Sequence, residues 1–362
     1  MINFNTLFTY FFKLYLGYFI AVLVIISGAL VLSNIFDVLQ KFKTIHVPTN
    51  LVWKLVLYKI PYLLGEIASL ISFISTLFFL RRLTKYNELV TILCSGHPIW
   101  KIFIIPVIAA FLIGVIFVTI VNPIGVYGLQ KHEKLEKILT KKNQGNFIVA
   151  QSGLLFFEEY NKENRIIQAK SMNITTKELK DLTILFVDSN NNLLKRIDAN
   201  SAILSEGNFK LISSIVITND DSIIHDNLTI PTNLSIGNFT DRFIVPEMIS
   251  IWKIKSSINK FLKFGLPIIN YQIHYYKLLF KPLTMVSTVI LASCFISIRQ
   301  RDNSQVKMLV SGLFLGFIIY SLIEIFLRIL VYKGIEPILA VLLPTFFLMF
   351  ISNFIILHSH KT

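Results

Sequence analysis

The chain has 362 residues, of which 54% are hydrophobic and only 15% are charged. Soluble domains carry roughly 25% charged residues, so this composition argues against a soluble protein and predicts that much of the surface contacts lipid. The formal net charge of +14 is explained more simply by basic residues at membrane edges than by binding of nucleic acid, which we do not expect.

Six apolar segments are long enough to cross a bilayer, which takes about 20 helical residues. They form two groups of three on either side of a long polar segment: 12–34, 61–80, 99–121, 280–298, 308–327 and 337–357. The first segment has spanning length and no early basic cluster, so we expect a retained helix rather than a cleaved signal. The pattern predicts an α-helical membrane protein with six transmembrane helices, three plus three.

A short polar stretch, "RRLTKYNELVTILCSGHP", separates the second and third spans and is predicted to form a helix over about 84–96. Thr84 is a suitable helix start, and Gly96 followed by Pro98 is a suitable stop. Tyr86, Leu89, Val90 and Leu93 have the i, i+3, i+4, i+7 spacing of one apolar stripe, and the other face displays Lys85 and Glu88. Two interpretations stay open: a surface helix that only joins two spans, or a lever that a cytoplasmic motor grips through Glu88.

Basic residues in the two short connections predict the orientation of the spans. Positive charge collects on the cytoplasmic side, which puts both connections and both termini inside and the polar segment outside. Lysines on the first outer loop run against this trend. The residues that set the orientation are Arg81, Arg82, Lys85 and Lys101 in one connection and Arg299, Arg301 and Lys307 in the other.

The polar segment changes to short runs with a period near two from about 145 to 246, for example "GNFIVAQSGLLFFEE". "DSNNN" is a hairpin signal between two such runs, and the pattern predicts an all-β domain of the sandwich or roll type. Helix-like stretches flank it, including "PEMISIWKIKSSINKFLKF". We therefore predict transmembrane helices in 1–121, an external region in 122–279 and transmembrane helices in 280–362.

No enzyme motif is present in the sequence. A Gly-rich phosphate loop ending in Gly-Lys-Ser/Thr and a His-Glu-x-x-His zinc motif are both missing, so we expect no catalysis, no metal and no cofactor. His132 beside Glu133 is interpreted as a solvated helix face. Within the spans, Glu66 and an i,i+4 pair of Glu324 and Arg328 are the notable ionisable residues, and we expect that pair to be structural.

The stretch "RRLTKYNELVTILCSGHPIWKI" resembles the segment between spans two and three in the LptF/LptG family of lipopolysaccharide export permeases. "NIFDVLQK" is similar to the end of the family's first span, and "NYQIHYYKLLFKPLTMVSTVILASCFI" to the entry into its fourth. "GLFLGFIIYSLIEIF" and "GIEPILAVLLPTFFLMFISN" resemble its fifth and sixth spans, more as in LptG members than in LptF members. The resemblance covers essentially the whole chain.

The resemblance implies a transmembrane subunit of an ABC exporter that extracts lipopolysaccharide from the inner membrane of a bacterium. The helix between spans two and three would dock on the cytoplasmic ATPase LptB through Glu88, with Arg82 and Gly96 as neighbours in the motif. ATP would be used by that partner. The external β-domain would be a periplasmic jellyroll-like domain that, with a second permease LptF, LptC and LptA, carries the lipid toward the outer membrane.

The resemblance also implies that spans one and five line the seam with the second permease and face the lipid. Candidate wall residues are Phe19, Val22, Ile26 and Leu30 on span one and Phe314, Phe317 and Ile318 on span five, although for any one of them a role in helix packing is the more common one. The anionic headgroup predicts a basic outer rim, for which Lys41, Lys43, Lys131, Lys134 and Lys277 are candidates. Asn34 stands where some members have a lysine.

Two other classes of function stay open at this point. An intramembrane lipid-modifying enzyme would need ionisable residues that converge at one depth of the spans. A membrane scaffold or receptor would bind a periplasmic protein through the β-domain and transport nothing.

Overall fold

The computed structural model describes residues 4–43, 48–96, 98, 100–140, 147–150, 153–160, 163–173, 176, 178–187, 193–205, 207–218, 222–232, 245–263, 268–297 and 305–359. They form two compact units: a helical unit within Met1–Thr140 and Gln272–Thr362, and a β unit within Lys141–Tyr271. The "DSNNN" hairpin, Arg299 and Arg301 lie outside the described residues.

The first half of the helical unit runs from α1 to α6. These helices are α1 (Phe4–Lys41), α2 (Thr49–Glu66), α3 (Ala68–Lys85), α4 (Glu88–Cys94), α5 (Trp100–Ile116) and α6 (Asn122–Thr140). A five-residue π-helical turn, Phe117–Val121, joins α5 to α6, so that Trp100–Glu136 is one long apolar candidate span. Because α6 packs along α2, the compact helical unit extends beyond residue 121.

The remaining helices follow the β-strands. They are α7 (Ile251–Lys263), α8 (Ile269–Leu279), α9 (Lys281–Ser297), α10 (Gln305–Tyr332) and α11 (Pro337–Ser359). Within the described residues, four helices are long and apolar enough to cross a membrane, and two bent pairs raise this to six. The bent pairs are α2 with α3, at 68°, and α8 with α9, at 57°. The predicted six-helix membrane unit with an inserted β-domain is confirmed.

The helix α3 is the central helix of the membrane unit. It packs against α1, α5, α9 and α10, and Phe79, Leu80 and Leu83 are fully buried in a core that also holds Tyr15 of α1. Ser72 Oγ lies 3.1 Å from Tyr15 Oη, so the buried hydroxyl groups of these two helices satisfy each other. A hydrogen bond inside an apolar bundle fixes the register of the two helices.

Two glycines let α10 approach α3 closely. A Cβ at Gly316 would lie 2.1 Å from Cε1 of Phe73, and one at Gly312 would lie 3.2 Å from Cδ1 of Leu77. Small residues at such contacts are how membrane helices gain close packing, since lipid is as apolar as their side chains.

We expect Gly316→Ala to destabilise the helical unit by about 1–3 kcal/mol, because the buried Phe73 ring must move to admit the methyl group. Thermal unfolding of the detergent-solubilised chain measures this. Gly17→Ala is the matched control, because a Cβ there meets nothing within 4 Å. Equal melting temperatures for the two variants would contradict the prediction.

The β unit contains one antiparallel sheet whose strands are neighbours in chain order, β1 to β7. The strands are β1 (Phe147–Ala150), β2 (Gly153–Tyr160), β3 (Glu163–Asn173), β4 (Glu178–Val187), β5 (Leu193–Ser205), β6 (Asn208–Ile217) and β7 (Ser222–Pro231). The all-β prediction is confirmed, and the pairing order among the described strands is that of a meander.

A crease crosses this sheet from β3 to β7. Along one row across these strands, one residue of each strand is left out of the ladder pairing. The row consists of Lys170, Asp181, Asn200, Ser213 and Asp226. Asp181 and Ser213 have positive φ angles of 49° and 53°, as in bulged strands. Leu179 and Leu182 are both buried across the skip, so the extra residue keeps the same face of the sheet inward on both sides of the crease.

Candidate functional site

The short helix α4 between the second and third spans begins later than predicted. Thr84 does not cap it: this residue is in the last turn of α3, and its Oγ1 donates a 2.7 Å hydrogen bond to the carbonyl oxygen of Leu80. The chain turns from α3 into α4 at Asn87, whose φ is +54°, a conformation that asparagine tolerates better than most residues. Gly96, with φ +82°, follows the helix and matches its predicted place at the stop.

Two apolar side chains hold α4 against the end of the bundle. Leu89 and Ile92 are buried in the same core as α1, α3 and α5, whereas Tyr86 and Val90 of the predicted stripe are exposed. The helix has seven residues, too few to be stable alone in water. Its position therefore depends on the membrane helices on which it packs.

The Glu88 carboxylate contacts two of those helices. Tyr10 Oη on α1 donates to Glu88 Oε1 at 3.2 Å, and Arg82 Nη2 on α3 lies 3.9 Å from the same oxygen. The Arg82 guanidinium also stacks 4.6 Å from the centre of the Tyr86 ring. With its side chain 23% exposed, Glu88 is half-buried in a cluster rather than displayed on a solvated face as predicted. The structure does bring Glu88 and Arg82 together.

The predicted rim lysines lie near one end of α1 and along α6, but two of them have partners in the chain. Lys41 bonds to the Glu136 carboxylate, and Lys131 Nζ lies 4.6 Å from the centre of the Tyr127 ring. Lys43 and Lys134 are exposed. A role in binding an anion stays a prediction for all four.

Three polar residues near this rim, His132, Glu136 and Asn34, are buried or bonded inside the helical unit. His132, interpreted above as solvated, donates from Nδ1 to the Leu55 carbonyl oxygen at 2.8 Å, and its Nε2 lies 3.4 Å from Glu136. That interpretation is wrong, because α6 packs directly along α2. Asn34 is buried and donates to the Leu30 carbonyl oxygen of its own helix at 2.8 Å.

The apolar faces of α1 and α10 are the most open of the long helices. Only 17% of the residues in the most apolar window of each are buried, against 39% for Trp100–Glu136. On α10, Phe317 is 60% exposed and Phe314 is also exposed, as expected for wall residues. On α1 the predicted face was wrong: Phe19 and Val22 pack into the core, and the exposed face carries Ile20, Val24, Ile25, Leu32 and Phe36.

A cavity of about 100 Å³ with ionisable groups on a largely apolar wall lies in the helical unit where the two bent pairs meet. It is large enough for several water molecules, since one needs about 10–15 Å³ of such space. The break between α2 and α3, the π-helical turn and Pro344 of α11 all border it. Irregular backbone at membrane depth is tolerated where it lines a cavity. The ionisable residues on its walls are Tyr62, Glu66, His274, Lys277, Lys281, Tyr320 and Glu324.

Hydrogen bonds tie the broken helices together across this cavity. Lys281 Nζ donates to the Glu66 carbonyl oxygen at 2.8 Å, so a cation satisfies a carbonyl group at the end of α2. Thr288 Oγ1 donates to the Ser69 carbonyl oxygen at 3.1 Å. These two hydrogen bonds link α9 to the end of α2 and to the start of α3.

The acid Glu324 has a different partner from the one predicted. Lys277 Nζ on α8 donates to Glu324 Oε2 at 2.7 Å, whereas the expected structural pair was Glu324 with Arg328. Lys277 was assigned to the outer rim, but it lies on the cavity wall. Sequence analysis missed this site because its ionisable residues come from four helices and share no local spacing.

The described residues contain no group of three or more His, Cys, Asp or Glu side chains placed to hold a metal ion. The geometry thus offers two open apolar helix faces, a short helix whose acid contacts two spans, and a cavity with ionisable groups on its walls. Such a set suits a membrane protein that associates laterally with other helices or with lipid.

Comparison with known proteins agrees with this arrangement. The family described as "Lipopolysaccharide export system permease LptF/LptG" matches residues 9–358. The chain is also 25% identical over 352 residues to the lipopolysaccharide export system permease protein LptG of Haemophilus influenzae, an alignment that covers 94% of this chain and 95% of that protein. The chain therefore belongs to the LptF/LptG family of lipopolysaccharide export permeases, and within it is LptG-like.

Proposed function

We propose that this chain is a non-catalytic transmembrane subunit of an ABC exporter that extracts lipopolysaccharide from the inner membrane and passes it to a periplasmic bridge. A separate cytoplasmic ATPase of the LptB type supplies the energy, and this chain needs no cofactor. The second permease is LptF, and LptC and LptA receive the lipid. Both termini and α4 face the cytoplasm, and the β unit faces the periplasm, as the basic connections indicate.

The observation that carries this proposal is the open apolar face on both α1 and α10. These are the helices of spans one and five, which the family resemblance assigns to the seam with the second permease. Exposing one acyl chain of about 12 carbons to water costs on the order of 10 kcal/mol, at about 0.8 kcal/mol per CH₂. An exporter must therefore keep the chains against apolar walls, and α1 and α10 supply such walls.

The contacts of Glu88 give the proposed coupling a physical form. Its carboxylate is bonded to α1 through Tyr10 and lies beside Arg82 of α3. An ATPase docked on Glu88 would thus act on α1 and on the central helix α3. Truncating one partner of a desolvated charge pair at an interface costs about 2–5 kcal/mol.

We expect Glu88→Lys to reduce co-purification of the ATPase by more than tenfold, because the reversed charge repels Arg82 and removes the acceptor for a cationic partner. The readout is the molar ratio of ATPase to permease after affinity purification from membranes. Insertion of the chain and its pairing with the second permease should persist.

The variant Tyr10→Phe distinguishes docking from a purely structural role of Glu88. It removes the donor to Glu88 Oε1 and leaves the carboxylate in place, so the ATPase should still co-purify. If Tyr10→Phe and Glu88→Lys lose the ATPase equally, Glu88 acts within the chain alone. If Glu88→Lys retains the ATPase and exports normally, the proposed coupling is wrong.

The cavity favours a second candidate, an intramembrane lipid-modifying enzyme, because it brings ionisable residues to one place in the helical unit. Against it, the Lys277 and Glu324 side chains pair with each other and Lys281 bonds to a helix end. Incubating the purified chain with lipid A and phospholipid, without any ATPase, tests this candidate. A covalently altered lipid detected by mass spectrometry would support it.

A further inference from the structure

The helix α7, "IWKIKSSINKFLK", lies between the β-strands and the fourth span and has no function assigned to it so far. It contains four lysines and no acidic residue. Its side chains divide sharply between a buried apolar face and an exposed basic face. Sequence analysis treated it only as a connection.

One side of α7 is a buried apolar face, and its last residues contact the first turn of α8. Ile254, Ile258 and Phe261 are buried, and they fall at the i, i+4, i+7 spacing of one helix face. The Phe261 ring packs against Tyr271 in the first turn of α8, with 4.7 Å between ring centres. This contact ties the carboxyl-terminal end of α7 to α8.

The position of α8 places this contact near the edge of the bilayer. α8 has 11 residues, which span about 15 Å, and it forms a candidate transmembrane pair with α9. The polar interfacial layers add about 5–8 Å on each side of a hydrocarbon core of about 30 Å. Because Tyr271 lies in the first turn of α8, with the start of this candidate span, we expect its contact with Phe261 to lie near the headgroups.

The exposed face of α7 combines an aromatic ring with positive charge. Trp252 is 68% exposed, Leu262 is also exposed, and Lys253, Lys255 and Lys260 are all exposed. A tryptophan in water is unfavourable, whereas the membrane interface accommodates its apolar body and its N–H group. Lysines beside it attract anionic lipid, at about fivefold in binding per residue near the surface.

We propose that α7 lies on the outer surface of the inner membrane, where Trp252 inserts at the headgroup level and the lysines bind anionic phospholipids. An acidic protein would match the lysines, but it would leave no reason for an exposed tryptophan on a helix joined so closely to a span. This docking surface fixes the start of the fourth span relative to the bilayer. It rests on the proposed orientation of the spans, and not on the proposed ATPase or on lipid export.

A single tryptophan reporter tests the proposal in the full chain. Trp53→Phe and Trp100→Phe leave Trp252 as the only tryptophan, and the chain is reconstituted in nanodiscs of phosphatidylcholine with or without phosphatidylglycerol. We expect a blue-shifted Trp252 emission in phosphatidylglycerol discs and quenching by phospholipids brominated near the headgroup end of the acyl chain. Water-like emission with no quenching would overturn the proposal.

Charge variants of the reporter test the role of the lysines. Lys253→Glu with Lys260→Glu should lower the phosphatidylglycerol-dependent quenching by more than about twofold. Lys210→Glu with Lys180→Glu is the matched control, because these two exposed lysines lie on strands of the same unit. An equal effect of both pairs, or a Trp252 response only after lipopolysaccharide is added, would also overturn the proposal.

Discussion

Replacing Gly128 by alanine is expected to prevent α6 from packing on α2 and to destabilise the helical unit by about 3 kcal/mol or more, at or above the upper end of typical overpacking costs. A Cβ at this position would lie 2.2 Å from the carbonyl oxygen of Tyr58. That oxygen belongs to the backbone of α2, so a rotamer change cannot relieve the clash. The two helices would have to separate, and the hydrogen bond from His132 to the Leu55 carbonyl oxygen would be lost with them.

Thermal unfolding of the detergent-solubilised chain, followed by circular dichroism, measures the effect. Gly28→Ala is the matched control, because a Cβ there meets nothing within 4 Å, and alanine favours a helix over glycine by about 1 kcal/mol. Gly125→Ala should fall between the two, since its Cβ would lie 2.9 Å from the Tyr62 nitrogen. Equal stability of Gly128→Ala and Gly28→Ala would contradict the close packing of α6 on α2.

Removing Lys277 alone is expected to destabilise the helical unit more than removing Lys277 and Glu324 together. Lys277→Met leaves the Glu324 carboxylate on the cavity wall without its 2.7 Å partner. Breaking a fully buried pair costs about 3–5 kcal/mol, but the side chains here are 34% and 37% exposed, so we expect about 1–2 kcal/mol. The double variant Lys277→Met with Glu324→Leu should recover most of this loss.

A double-mutant cycle on thermal unfolding gives the coupling energy of the pair. Lys333→Met is the control for loss of a lysine, because Lys333 is exposed just after α10. Lys277→Met should also weaken the attachment of α8 to α10, and limited proteolysis near the fourth span would then become faster. Additive effects of the two single substitutions would show that the pair contributes nothing to stability.

Sequence analysis predicted the spans and the β-domain because both depend on local periodicity and length. An apolar run of about 20 residues can be assigned as a transmembrane helix without knowing which segments it contacts. The crease in the sheet is different. Strands β4, β5 and β6 shift their buried positions by one residue at Asp181, Asn200 and Ser213, and only the aligned pairing of the strands makes these shifts one feature.

The predictions that were wrong concern contacts between distant segments. Glu324 was paired with Arg328, four residues away, whereas its partner Lys277 is 47 residues away across another span. The apolar face of α1 was misassigned, because every face of a membrane helix is apolar and periodicity cannot separate core from lipid. Thr84 was taken as a cap, although its hydroxyl group bonds back into its own helix.

The connection between α3 and α4 is only two residues long, Tyr86 and Asn87, and it has a mechanical consequence. A longer linker would absorb a displacement of α4 by changing its own conformation, whereas a linker of two residues can change very little. A displacement of α4 would therefore move α3 as well. Because α3 touches both α1 and α10, a single push at the end of the bundle reaches two lateral walls at the same time.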